Sequence, residues 1–345
     1  MDFLKKIAKG SIYSTAAVLR GYMGDKAYIL LLSVIVGVLA GIAAVLLRKS
    51  TDFFHHAADW VSGKAGDYQA FVVPFLPVAG IFICVILVRI FLRGKKYEKS
   101  LSGVIVETSK GTSNIERRHC WSHIITSGIC VGLGGSAGLE APIALTGSAI
   151  GSNFSRIVRT GTETRTLLLA CGGAAGISAI FNSPVAGALF ACEILLPAFS
   201  IPALVPLLMA SASAAVVSEL LCGKHPFIES SSGWIPMNLP FYVVLGIFAG
   251  FISAYTIYFA TRIARKVGKY ENIWLKALCG GLILAVMLIF FPALRGEGYG
   301  FIGALVDKNE SLIMQGSPLS GLINGGWIFL ICCIALVLMK VFSQQ

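Results

Sequence analysis

From Phe71 to Leu92 the chain carries a single charged residue, Arg89. Apolar runs of the same kind recur at Ala27 to Leu47, Ile201 to Leu221, Phe241 to Ala264 and Trp274 to Phe291. A helix needs about 20 apolar residues to cross a bilayer core, so this repetition decides the class of fold. Shorter runs at Trp121 to Leu133, Leu167 to Phe181 and Trp327 to Val341 belong to the same series. The runs are continuous and lack the period-2 alternation of barrel strands. Composition agrees: 56% of the 345 residues are hydrophobic, 13% are charged and mean hydropathy is +0.80. Soluble domains carry about 25% charged residues. An ordinary cytosolic enzyme, a disordered chain and a secreted disulfide scaffold are thereby excluded. The expected fold is all-α, a polytopic membrane protein with broken and tilted helices. In lipid, a broken helix survives only where its irregular backbone is buried in protein or lines a polar cavity. The interrupted stretch from about 100 to 195 is therefore where a site is expected. Two regions are expected: a cytoplasmic amphipathic segment over 1–25, helical from 11 to 23, and a transmembrane domain over 26–345. No removable signal peptide is read at the N-terminus.

Net charge is +11. The basic residues fall in short clusters between apolar runs, with no nucleic-acid motif, so they report topology. Loops 48–68, 222–240 and 292–322 hold only Arg48, Lys49, Lys64, Lys224, Arg295 and Lys308, which leaves 22 of the 28 basic residues on the other side. The positive-inside rule makes that side, and the N-terminus, cytoplasmic. His55, His56, Asp59, Trp60, Glu229 and Trp234 then belong to the outer face. The nine cysteines lie mostly in apolar runs without a C-x-x-C pair and read as small packing residues.

Two polar segments carry chemistry. In the first, a Gly-rich turn runs from Gly132 through Gly134-Gly135-Ser136-Ala137-Gly138 into a helix expected to start near Glu140, with Pro142 in its first turn. A helix start leaves backbone N–H groups unpaired, and with the helix dipole these attract an anion. Glu140 is an ionisable residue in an apolar region, which points to function; as a structural alternative it caps its own helix. Gly147 and Gly151 repeat at a spacing that allows close helix contact. The second segment runs from Gly172 to Glu193. It reads as a small-residue helix, a tight turn at Asn182-Ser183-Pro184 and a second helix ending with Glu193.

Gly138-Leu139-Glu140-Ala141-Pro142 resembles the G-x-E-x-P signature of the CLC family of chloride channels and proton-coupled anion exchangers. The stretch from Phe181 through Asn182, Pro184 and Phe190 to Glu193 is similar to that family's next signature, in the same order and spacing. Pro292 to Leu305, with Gly296-Glu297-Gly298-Tyr299-Gly300, resembles its outer loop. The resemblance implies a CLC-like fold in a homodimer with one anion pathway per subunit. It implies that Glu140 is the gating glutamate, whose carboxylate competes with a halide for the same N–H donors. The implied anion-binding residues are Ser102, Gly103, Gly138, Leu139, Ala141 and Ile143. Ser102-Gly103 matches only part of the family's G-S-G-x-P motif, so chloride, nitrate and fluoride stay open as the preferred anion. The family's exchangers close the second signature with two glutamates, the second relaying protons. Here the pair reads Glu193-Ile194, which favours passive conduction and leaves Glu193 as a proton-path or structural residue. The second-half G-x-F-x-P signature and pore tyrosine are not found before Gln345, so the chain is expected to stop within the second inverted repeat.

The expected function is chloride transport by a passive channel gated by a protonatable glutamate, with a proton-coupled chloride antiporter as the alternative. The expected setting is a bacterial inner membrane, with chloride and the bilayer as partners and protons in the exchanger case. No enzymatic activity, metal, cofactor or nucleic-acid partner is expected; chloride is substrate. An intramembrane serine protease around Ser136 is a distant rival, because the only histidine after it, His225, lies in a polar loop. A water or solute channel built on Asn182-Ser183-Pro184 lacks a second copy of that turn, and a purely structural protein leaves Glu140 unexplained.

Overall fold

The computed structural model describes residues 2–64, 66–92, 101–196, 200–223, 236–299, 302–303 and 326–343, with side chains from Arg20 onward except at 67, 69–71, 91–92, 326–333 and 341. The basic residues Arg93, Lys95, Lys96 and Lys99, the outer-loop residues Lys224, Glu229, Trp234 and Lys308, and His225 lie outside the described residues. The described elements are α1 (Asp2–Lys64), α2 (Gln69–Leu92), α3 (Ser102–Ser109), α4 (Ser122–Gly132), α5 (Glu140–Val158), α6 (Thr162–Phe181), α7 (Pro184–Phe190), α8 (Ile201–Cys222), α9 (Leu239–Gly268), α10 (Ile273–Phe290) and α11 (Gly326–Ser343), joined by short 3-10 and π turns. No strand occurs among the described residues, as the absence of period-2 patterning requires. Six of the helices are long and apolar enough to cross a membrane.

Three boundaries differ from expectation. The first apolar run was expected to end near Leu47, but α1 continues to Lys64. No Pro interrupts residues 48–64, and the buried positions Ala40, Ala43, Ala44, Leu47 and Thr51 keep a helical period into that stretch. One residue breaks α1 internally, Gly24, at φ 73 and ψ 160. Helix α6 begins at Thr162, five positions before the apolar run at Leu167, because Gly161 ends the preceding turn in extended conformation and Glu163 favours a first helical turn. The helix expected to end with Glu193 stops at Phe190, and Ala191–Leu195 winds as a π turn.

The chain divides into two compact units, residues 1–53, 88–128 and 139–225 in the first, and 54–87, 129–138 and 226–345 in the second. The core of the first is the pair α5 and α6, with α7 and α8 packed on α6. Glycine makes this pairing possible. A Cβ on Gly147 would collide with the backbone carbonyl of Gly172, and one on Gly151 with that of Leu168. The four-residue spacing read in the sequence thus brings two helix backbones into direct contact. Hydroxyls tie α6 to α8: Ser178 Oγ donates to Ser211 O at 2.7 Å and Ser218 Oγ to Ala179 O at 2.7 Å. From Leu168 to Ile180 every residue of α6 is buried, so this part of the helix is surrounded by protein.

The second unit has its own core, in which Leu284, Met287, Leu288, Leu294 and Leu336 pack together with Ile81 and Met339 at their edge. Phe82 stacks on Trp274 with ring centroids 6.0 Å apart. Helix α9 has no buried residue yet is strongly apolar, as a helix bathed in lipid would be.

Candidate functional site

In the first unit, α5 starts at the position the sequence marks. Leu139 occupies the N-cap with φ −93 and ψ −3, and its aliphatic side chain cannot accept from the first-turn amides. Glu140 is the first helical residue, so its carboxylate stands one position past the cap and is half-buried. Pro142 has no N–H to offer, and the Ile143 N–H is already donated to Leu139 O at 3.1 Å. The helical ladder therefore leaves the Ala141 amide among the first-turn donors, and Ala141 is exposed. Ile143 and Leu139 are buried, at 0% and 3% exposure; their side chains anchor the helix start.

The other residues named from sequence lie as follows. Ser102 is the first residue of α3 and is exposed, and Gly103 follows it half-buried. The N-cap of α3 is Leu101, so Ser102 is not the cap of that helix. α3 packs on the π turn that carries Glu193. Glu193 is exposed there. Asn182 ends α6 in the left-handed conformation at φ 48, and Pro184 opens α7 behind an extended Ser183. Asn is among the few residues that tolerate this cap, and Pro at a first helical position costs no hydrogen bond. Gly138 belongs to the second unit, while Leu139, Glu140, Ala141 and Ile143 belong to the first.

The Gly-rich turn that precedes Gly138 is built within the second unit. Gly134 has φ +100, and a Cβ there would press on Arg295 and Pro77. Gly135 N–H bonds Cys130 O at 2.8 Å, closing the end of α4. Ser136 is 3% exposed; its Oγ accepts from Lys340 Nζ at 2.9 Å and lies 2.9 Å from Ser343 Oγ. Lys340 Nζ also donates to Gly296 O at 3.3 Å. Arg295 Nη2 pairs with Asp59 Oδ1 at 3.3 Å, which joins the last turns of α1 to the stretch after α10, two segments read from sequence as lying on one face. Lys340 was counted with the opposite face. Its Nζ meets the Gly296 carbonyl of the 292–322 loop from the last turn of α11.

Sequence reading missed Lys340, although a lone charge in an apolar run is a signal for function or structure. It also missed the buried pair His119 and His123, whose Nδ1 and Nε2 are 3.1 Å apart, and the role of Asn153. Asn153 Nδ2 donates to Ile115 O at 3.2 Å and to Cys120 Sγ at 3.6 Å. Burial pushes the Cys120 thiol up to about 11. Among the described residues no group of three or more His, Cys, Asp or Glu is placed to hold a metal ion.

Residues 79–343 match the family model described as voltage gated chloride channel. This chain belongs to that family. It is 25% identical over 301 residues to the H(+)/Cl(-) exchange transporter ClcA of Vibrio cholerae, covering 81% of this chain and 62% of the relative. It is 29% identical over 196 residues to the voltage-gated ClC-type chloride channel ClcB of Escherichia coli, covering 55% of this chain and 45% of that one. The chain thus spans between about half and two-thirds of the length of these relatives. Its fold is shared with solved CLC structures. A slow cyanobacterial Cl−/H+ antiporter superposes with a TM-score of 0.69 at 16% identity, over 91% of this chain and 73% of the other. A CLC-type fluoride/proton antiporter gives 0.63 at 23% identity, over 92% and 76%. This voltage gated chloride channel family member is accordingly a multi-pass integral membrane protein.

Proposed function

We propose that this chain moves small anions, chloride first, across a lipid bilayer, with the Glu140 carboxylate as gate. The carrying observation is the family match over residues 79–343 together with a helix that begins at Glu140. A carboxylate at a helix start and a halide satisfy the same N–H donors and the same dipole, so each excludes the other. Protonation neutralises the carboxylate and releases the position to the anion. Ala141 contributes an amide, Leu139 and Ile143 hold the helix start, and Ser102 with Gly103 and Gly138 complete the proposed anion path.

Passive conduction is the finer reading. Ile194 follows Glu193 where a second acid would relay protons, and an aliphatic side chain carries none. The alternative is proton-coupled exchange, favoured by the exchanger named among the relatives. Assembly as a homodimer and placement in a bacterial inner membrane with a cytoplasmic N-terminus belong to the same proposal.

The test is anion efflux from liposomes containing the purified protein. Chloride release down its gradient supports the proposal, and no flux of chloride, nitrate or fluoride from the full gene product removes it. Uphill chloride movement driven by a proton gradient replaces the channel with the exchanger.

A further inference from the structure

The strongest unassigned cluster is in the first unit, where three arginines from three elements meet. The segment from Thr112 to Ile115 lies along the end of α5 and the start of α6. Ser152 Oγ donates to Ser113 O at 2.7 Å and accepts from Ile115 N at 3.1 Å. Ser113 Oγ and Thr166 Oγ1 are 2.6 Å apart. The segment runs on into the 3-10 turn Arg117–Cys120, which packs on α5, and Arg156 near the end of α5 lies within electrostatic reach of Arg117 and of Arg165 in the first turns of α6. Arg156 Nη2 donates to Ile115 O at 3.0 Å and bonds Asn153 Oδ1. Arg165 Nη1 donates to Thr112 O at 3.5 Å.

Every one of these partners is a neutral oxygen. The ionisable groups whose fields reach Arg156 are Arg117, Arg165 and Cys120; burial pushes the Cys120 thiol up to about 11 and keeps it neutral at physiological pH, and no described carboxylate pairs with any of the three arginines. Arg156 Nε and Arg165 Nε are buried without an acceptor. Two guanidinium groups held by hydrogen bonds to one segment, with the exposed Arg117 two residues beyond it, repel unless an anion joins them. A guanidinium fork matches the oxygens of a phosphate, which a monatomic halide does not offer. All three residues belong to the clusters read as cytoplasmic, where anionic headgroups concentrate and basic pockets between helices bind them.

We propose that Arg117, Arg156 and Arg165 form a site for the phosphodiester of an anionic lipid headgroup, separate from the anion pathway. Headgroup binding relieves the repulsion and locks the Thr112–Ile115 segment onto α5 and α6.

The test uses the full chain in vesicles of phosphatidylcholine alone or with phosphatidylglycerol, reading the phosphatidylglycerol retained after extraction by native mass spectrometry. Arg117→Gln is the informative variant, because Arg117 is exposed and the three hydrogen bonds that pin the segment are made by other residues. Retention is expected to fall about fivefold for this variant, and Arg117→Lys, which keeps charge without the fork, is expected to fall between it and the parent. Lys266→Gln, which removes an exposed charge at the end of α9, is expected to leave retention unchanged. An equal fall in Lys266→Gln and Arg117→Gln, or no fall in either, overturns the site. Millimolar inorganic phosphate displacing phosphatidylglycerol completely assigns the cluster to free phosphate and overturns the lipid reading.

Discussion

Lys340 Nζ donates to Ser136 Oγ across 2.9 Å, joining residues 204 positions apart in the chain. One end lies on the last turn of α11 and the other in the Gly-rich turn after α4, both within the second unit. A half-buried ammonium held by a hydroxyl and by the Gly296 carbonyl is a tertiary clasp on the segment that leads toward Glu140. Lys340→Met keeps much of the side chain's bulk and removes the donor. A charge-assisted bond of this kind contributes about 1.5–3 kcal/mol, so the variant is expected to lower the detergent-solubilised unfolding midpoint. An unchanged midpoint would show that Ser136 and Gly296 are held without it.

At Gly147 and Gly151 the α5–α6 contact has no room for a side chain. Gly147→Leu would drive its Cβ into the Gly172 backbone, and overpacking costs about 1–3 kcal/mol or more where backbone cannot yield. Folded yield by size-exclusion chromatography is expected to collapse. Gly246→Ala in α9 is the contrast, because nothing lies within 4 Å of the added methyl. That change is expected to stabilise by about 0.5–1 kcal/mol.

Under the proposed gating, Glu140→Gln carries a permanently neutral group at the α5 start. Its chloride flux at neutral pH is expected to match the acid-pH flux of the parent and to stop varying with pH. A pH profile in liposomes that survives the substitution would place the gate elsewhere.

Cys120 gives a pH effect outside the spanning helices. Its thiol is pushed up to about 11, mainly by burial. Folded protein therefore holds this proton more tightly than unfolded chain does. The stabilising contribution is complete below the thiol's ordinary pKa and is lost as pH rises toward 11. Alkylation of Cys120, followed by peptide mass spectrometry, is expected to be slow at pH 8 and to accelerate steeply toward pH 11. Rapid modification at pH 8 would contradict the burial.

Much of the helix plan was legible because apolar length and glycine spacing are local properties. The runs around Phe71, Ile201 and Trp274 became α2, α8 and α10 within two residues, and Pro142 and Pro184 sit in the first turns where a missing N–H is harmless. Boundaries failed where packing overrode the apolar signal. Residues 48–64 are polar enough to read as a loop, yet they continue α1 because nothing in them breaks a helix already nucleated.

By itself, the sequence determined that this chain is a bundle of membrane helices with one broken, small-residue region, since the bilayer admits no other solution for such long apolar runs. It also determined that α5 starts at Glu140, since a Gly-rich turn followed by Pro142 marks that start in local terms. Only the tertiary structure decided that Gly147 meets Gly172, that Lys340 clasps Ser136, and that Arg117, Arg156 and Arg165 share one patch. Those partners are distant in sequence, and their meeting depends on helix packing, which no local pattern encodes.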